Sequence, residues 1–490
     1  MLNPTVPGVS IEEINSFPPS IASVETAIPA FIGYTANHAD LNPNMQGVVA
    51  PRRIQSFVDF EAIFGTPELE TFTVNVNGDD EIVDSEGTED GVTFSTNGSE
   101  ASLFTLYYHM QLYFENGGGD CYIVSIGEAD STATPQLSKD QFINGLTEIR
   151  RIDEPTLLVF PEAAALDMGN HTQVITAAIN QSAELQDRFT VASVTSSITA
   201  TSASPSGEIA DFRTALGNQN LRYGAIYYPN LVTTLSRVFD NSTVSITGGT
   251  FAGRTLEDVL NGVPSDATPP PSGGAAIPPD ATLFAEITAR VNALVNNIEL
   301  TPDAATVGVY AAVDDSRGVW KAPANVSLRG VVAPSLLLSD ADQGAFNVDP
   351  VGGKSINIIR SFTGRGTLIF GARTLDGNSN DFRYVNVRRL FNFVEESVQN
   401  AAVQFVFEPN VGQTWLRIKG AIDNFLTDLW RQGALAGARP QDAFQVTVGL
   451  GTTMSAQDIL EGRLIVEIGL APSRPAEFII LRFSQIQQVS

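Results

Sequence analysis

The sequence predicts a mixed α/β protein of several domains, and three observations carry that reading. First, 490 residues with 43% apolar content exceed what one ordinary hydrophobic core organises. Second, short apolar strand-like runs alternate with segments of helical period, the pattern of layered α/β architecture. Third, both ends of the chain read as strands, which makes extended terminal arms part of the expected fold.

Residues 1–20 are expected to form an N-terminal strand arm, in which PGVSIEEI at 7–14 alternates and Pro18-Pro19 ends the ladder. An α/β domain is expected over 21–345. AFIGYT at 30–35 reads as a buried strand, and RIQSFVDFEAIFG at 53–65 as a strand running into a short helix. The segment 66–100 is strongly acidic with repeated Gly and Asn, and predicts an exposed hairpin or loop. SLFTLYYHMQLYFENGG at 102–118 has Leu103, Leu106, Met110 and Phe114 at helical spacing, and glycines stop it before the strand CYIVSI. TLLVFP, RFTVASV and YGAIYYPN follow as strands, with a helix over 172–188. The Pro/Gly-rich stretch 261–280 predicts a loop, after which Leu283, Ile287, Val291, Leu294 and Ile298 mark one helical face.

A second α/β unit is expected over 346–475. SINIIRSF and GTLIFGARTL read as strands, and YVNVRRLFNFVEESVQNA as a strand running into a helix. The helix 414–432 should bury Trp415, Ile418, Ile422, Phe425, Leu426 and Leu429 while turning Arg417, Asn424, Asp428 and Arg431 outward. GRLIVEIGLAP and AEFIILRFSQI close the chain as strands, the second forming a C-terminal arm over 476–490. In that arm Phe478 and Ile480 oppose Ile479, Leu481 and Phe483, so both faces of the strand need cover. An uncovered apolar edge invites a partner chain.

Charge divides the chain unevenly. Net charge is −27, with 42 acidic and 14 basic residues over 1–345 against 13 and 14 over 346–490. A diffuse acidic surface repels phosphate backbones, so nucleic acid is not an expected partner. The near-neutral remainder can pack against copies of itself. One cysteine, Cys121, cannot form an internal disulfide and reads as a core residue. No run approaches a membrane span, so no direct membrane insertion is expected, and MLNPTVPGVS shows no signal peptide, which suggests assembly in the cytoplasm.

Motifs that carry chemistry are incomplete. VGGKS at 351–355 ends as a phosphate loop ends, but Val348 stands where the pattern needs its first glycine. GGG at 117–119 lies between a helix and a strand, the reverse of a dinucleotide loop. GRGTLIFG has Ile369 in place of a third glycine. His38, His109 and His171 lack metal-type spacing, and Asp314-Asp315 and Glu395-Glu396 diverge as neighbours on one element. No catalytic residue, metal site or cofactor is expected.

Whole segments resemble the sheath proteins of contractile phage tails and phage tail-like injection systems. PGVSIEEI, AFIGYT, YFENGGGDCYIV and YYPNL resemble the family's earlier blocks. RGVWKAPAN, IRSFTGRGTLIFGARTL, YVNVRRLF, FEPN and GRLIVEIGLAPSRPAEFIILRF resemble its C-terminal region, in the same order. The resemblance implies a homo-oligomeric, helical, six-fold sleeve around an inner tube protein, assembled in a metastable extended state and contracting to drive the tube through a target envelope. It also implies baseplate and tail terminator or cap proteins as partners, an inner domain over 346–475 and an outer one over 21–345. The arms would add to sheets of adjacent copies, through Val9, Ile11, Ile14, Phe478, Ile479, Ile480, Leu481 and Phe483. Arg417, Asp428 and Arg431 are candidate tube-facing or inter-subunit polar contacts. Two other readings compete: a nucleotide-dependent α/β enzyme using the GGKS turn, and another self-assembling shell or surface-layer protein.

Overall fold

The structure, a computed structural model, describes residues 21–41, 47–83, 91–95, 100–130, 137–196, 205–270 and 275–481. The N-terminal arm and Phe483 lie outside the described residues. The chain divides into two compact units: 25–389 with 475–490, and 1–24 with 390–474.

In the larger unit, a nine-stranded sheet runs in the order Val326–Ser327, Gly366–Ile369, Asn357–Phe362, Gly224–Tyr228, Phe189–Ser193, Leu157–Val159, Pro29–Thr35, Cys121–Glu128, Arg52–Ile54. Its six central strands, from Asn357–Phe362 to Cys121–Glu128, are parallel, and antiparallel strands close both ends. Parallel strands are covered on both faces and so read as continuous apolar runs. Pro29–Thr35, Phe189–Ser193 and Gly224–Tyr228 are buried throughout.

Alternate residues of these strands feed two cores. Phe31, Ile123, Val159, Val191 and Tyr227 join Met110, Tyr113, Val307 and Tyr310, from the helices Leu106–Glu115 and Asp303–Arg317. Ile32, Val124, Leu158, Ala192 and Ile226 join Phe142, Leu146, Ile175 and Ile179, from Lys139–Ile149 and Met168–Leu185. The period of two along each strand therefore sorts one sequence onto two helical layers. The triple glycine has a packing reason: a Cβ at Gly118 would lie 2.4 Å from the Tyr113 ring, and Gly117 adopts φ +94°.

The acidic segment 66–100 is more than the exposed hairpin or loop expected. Glu70–Asn75 pairs antiparallel with Val92–Phe94 and parallel with Phe239–Thr247. Phe72, Val74, Val76 and Val92 are buried with Val244, Ile246, Leu256, Leu283, Ile287 and Val291 in a third core. The alternation T-F-T-V-N-V supplies the inward side chains, and charge composition conceals it. Across 261–280, Val263 and Ile277 form an isolated antiparallel bridge.

Two further differences concern the C-terminal half. Asn357–Phe362 and Gly366–Ile369 do not begin a new unit; they extend the large sheet, with Asn357 opposite Tyr227 and Ile358 opposite Tyr228. The apolar faces of SINIIRSF and GTLIFG fit a sheet but do not say which one. YVNVRR is not a strand, because Val385–Ala402 is one helix, preceded by a bridge between Arg373 and Tyr384. The V-x-V spacing satisfies a strand, yet Val387, Leu390 and Val394 are buried at helical spacing. The division between units falls within this helix, at Arg389/Leu390.

In the smaller unit, the helix Gly412–Arg431 buries Ile418, Ala421, Ile422, Phe425, Leu426 and Leu429, and Phe425 packs on Phe393 with ring centroids 6.0 Å apart. Trp415, expected in this core, is half-buried and donates from its indole to Asn410 at 2.7 Å. Phe444–Val448 and Val466–Leu470 form a two-stranded antiparallel sheet, with Val446 opposite Ile468. Lys419 of the helix donates to the Val446 carbonyl at 2.6 Å and so ties helix to sheet.

Candidate assembly surfaces

An assembly protein presents unpaired strand edges and exposed apolar side chains where an enzyme presents a lined cleft. The C-terminal segment has the second feature. Phe478, Ile479, Ile480 and Leu481 are 70–78% exposed and pair with no described residue. Four consecutive large apolar residues in water are costly, at roughly 25 cal/mol per Å² of apolar surface. As a departure from the strand expected over 476–486, the described residues 476–481 lie in no ladder. The preceding strand GRLIVEIGL does pair within its own copy, with Phe444–Val448.

Immediately before the exposed run, Glu477 is held firmly. Its carboxylate accepts from Arg373 Nε at 2.9 Å and Nη2 at 2.6 Å, from Asn347 Nδ2 at 2.7 Å, and from the Tyr384 hydroxyl at 3.0 Å. Burial alone would raise the Glu477 pKa, but these hydrogen bonds, chiefly from Arg373 and Asn347, hold it below the ordinary carboxylate value. Sequence reading overlooked Glu477. The available signal was that it is the sole acidic residue between Ile468 and Ser490.

The polar helix stripe is exposed as expected. Asp428 and Arg431 meet in an ion pair at 3.2 Å with side chains 65% and 68% exposed, while Arg417 lies over the Phe405 ring at 5.5 Å. The structure thus brings Asp428 and Arg431 together and gives Arg417 a separate aromatic partner. Val9, Ile11, Ile14 and Phe483 lie outside the described residues.

The GGKS turn is filled by its own chain. The Asp349 carboxylate accepts from the amides of Val351, Gly352 and Lys354 at 3.0–3.2 Å, taking the donors a phosphate would use. Lys354 is 4% exposed, and its ammonium donates to the Arg213 carbonyl. The three histidines also serve the fold. His109 bridges the Thr105 carbonyl and Thr301 Oγ1, His171 meets Thr195 Oγ1, and His38 meets Ser125 Oγ, at 2.9–3.0 Å. Burial lowers the pKa of His109 to about 4 and that of His171 to about 3. Asp314 of the Asp-Asp pair binds Arg389. Among the described residues no group of three or more His, Cys, Asp or Glu could hold a metal, and no helix is long and apolar enough to cross a membrane.

Comparison with known proteins finds tail sheath proteins. A family model for the phage tail sheath C-terminal domain matches residues 378–486. Over 177 residues the chain is 25% identical to a tail sheath protein of Vibrio phage KVP40; the match spans 36% of this chain and only a quarter of the length of that curated relative. Likeness to solved sheaths extends over nearly the whole chain. The contracted helical sheath of the anti-feeding prophage is 30% identical, with a TM-score of 0.61, covering 98% of this chain and 99% of that one. The contracted sheath complex of the extracellular contractile injection system PVC is 29% identical, with a TM-score of 0.60 and 99% coverage of both chains.

Proposed function

The chain belongs to the tail sheath family of contractile injection systems, and from that premise we propose that it polymerises helically around an inner tube in a metastable extended state and contracts to drive the tube through a target envelope. Membership points to a structural, non-enzymatic subunit. The observation that carries the mechanism is the exposed apolar run Phe478–Leu481, which pairs with no described residue. The pair Phe444–Val448 and Val466–Leu470 has no third strand among the described residues, so its outer edges are open to an added strand. Arms from neighbouring copies, through Val9, Ile11, Ile14 and the segment from Phe478 to Phe483, would extend that sheet and remove the exposed apolar surface.

Open, heterologous contacts of this kind generate helical filaments. A mesh of added strands can persist while the bodies rotate, with Pro18-Pro19 and Pro472 to Pro475 bounding the linkers that absorb the movement. Energy for firing is stored at assembly in a kinetically trapped state. In this reading 390–474 belongs to the inner, tube-proximal layer, and the acidic bulk of 25–345 faces outward. Arg417, Asp428 and Arg431 contact the tube or an adjacent copy. Baseplate and terminator proteins cap the ends, and assembly takes place in the cytoplasm.

Electron microscopy of the purified full-length chain tests the reading. Hollow, striated tubes are expected, and they should be lost on deletion of residues 1–16 or 478–490, with the monomer still folded. Flat lattices, closed shells, or normal tubes from either truncation would contradict it.

A further inference from the structure

Exposure changes abruptly within the tail: Glu477 has a side chain 22% exposed, and the next residue, Phe478, is 70% exposed. The four hydrogen-bonding groups that hold Glu477 come from three separated places in the chain, and two of them are themselves fixed. Arg373 is 4% exposed; its Nη1 also donates to the Asn347 carbonyl at 3.3 Å. That same carbonyl accepts from Ser355 Oγ at 2.6 Å, which ties the GGKS turn into the cluster. The Arg373 backbone is locked in both directions by the fully buried Asn357, whose Oδ1 accepts from Arg373 N at 2.7 Å and whose Nδ2 donates to Arg373 O at 2.8 Å. Asn357 Nδ2 also donates to the Ile226 carbonyl, in the parallel strand Gly224–Tyr228. A Cβ at Gly371 would fall within 3.0 Å of Asn357, so a small residue there keeps this junction closed. Glu477 is therefore connected through Arg373 and Asn357 to the middle of the large sheet.

We propose that Glu477 is the positioning residue that fastens the C-terminal arm to its own subunit, with Arg373, Asn347 and Tyr384 as its socket. The inference rests on the reading that residues after 477 are exchanged between copies. A strand donated to a neighbour transmits force only if its root is fixed, and a flexible root would also add ordering entropy to each contact made. The carboxylate suits this role because a charge-assisted, bidentate pair has one geometry, whereas an apolar contact could slide. The GGKS turn thereby gains a purpose without a nucleotide: it shapes the wall of the socket.

The test compares the critical concentration for polymerisation, by pelleting and negative-stain microscopy, of wild type, Glu477→Gln, Tyr384→Phe and a chain ending at Glu477. Glu477→Gln should raise that concentration at least tenfold with the monomer's melting temperature unchanged, Tyr384→Phe should raise it less, and the truncated chain should form no tubes. Wild-type assembly by Glu477→Gln, with the truncation inactive, overturns the socket and leaves arm exchange standing. A fall in the melting temperature that accounts for the assembly defect also overturns it, since Glu477 would then serve only the stability of its own subunit. Normal tubes from the truncated chain overturn the exchange reading and the socket with it.

Discussion

Arg389 and Asp314 form a two-pronged ion pair at 2.5 and 3.1 Å, with side chains only 3% and 4% exposed. The same guanidinium donates to the Thr26 carbonyl at 2.7 Å and lies over the Tyr310 ring at 4.8 Å. Removing one member strands a buried charge, which typically costs about 3–5 kcal/mol. Asp314→Ala is expected to destabilise the larger unit by roughly 3 kcal/mol, read as a lower denaturation midpoint with the denaturant slope unchanged.

The buried histidines predict an acid-side loss of stability. Their folded pKa values lie below the ordinary 6.5, so as pH falls below 6.5 the unfolded chain takes up protons that the native chain refuses. Stability from His109 is lost between pH 6.5 and about 4, and from His171 down to about 3. For His109 the whole interval amounts to roughly 3 kcal/mol, at 1.36 kcal/mol per pKa unit. Two carboxyls act oppositely: burial raises Glu162 to about 7 and Asp303 to about 6. Stability from their protonated forms is complete below their ordinary values of 4.5 and 3.8, and is lost as pH rises through the folded values. Chemical denaturation across pH 4–7 should show a shallower acid-side decline in His109→Gln than in wild type.

Phe72 tests the third core. It is fully buried and packs on Phe94 at 4.8 Å and Phe239 at 5.9 Å between centroids. Phe72→Ala should cost about 3–5 kcal/mol locally. Amide exchange should accelerate in Glu70–Asn75 and Phe239–Thr247 and stay unchanged in the nine-stranded sheet.

Lys354 separates a structural turn from a nucleotide site. Lys354→Ala should leave ATP binding at the background of the wild-type chain, and should lower stability by about 1–3 kcal/mol because the Arg213 carbonyl loses its buried donor. Saturable ATP binding that this substitution abolishes would revive the enzyme reading.

Local sequence signals located the elements but not their partners. Continuous apolar runs identified Pro29–Thr35 and Gly224–Tyr228, because a strand covered on both faces has little choice of composition. The allegiance of Asn357–Phe362 could not be read, since pairing with Gly224–Tyr228 depends on residues more than a hundred positions away. Val385–Ala402 was misread at its start because β-branched residues two apart satisfy either period. At the candidate site, the apolar tail was legible because four large apolar residues in a row contradict a solvated chain end. Glu477 was not, since its partners Asn347, Arg373 and Tyr384 converge only through the fold. The polar helix stripe was legible from period alone, but nothing in the spacing distinguished the paired Asp428 and Arg431 from Arg417 on Phe405.

The most direct test of arm exchange mixes two populations of full-length chain before assembly, one carrying Ile480→Cys and the other a cysteine at Gln445, Glu467 or Gly469 of the two-stranded sheet. Cys121 is buried and takes no part. Oxidation of assembled tubes should give disulfide-linked dimers between the two populations, strongest at one sheet position and absent from unassembled monomer. Tubes that assemble normally yet give no cross-link between populations at any of these positions would contradict the exchange of this strand into the neighbouring sheet.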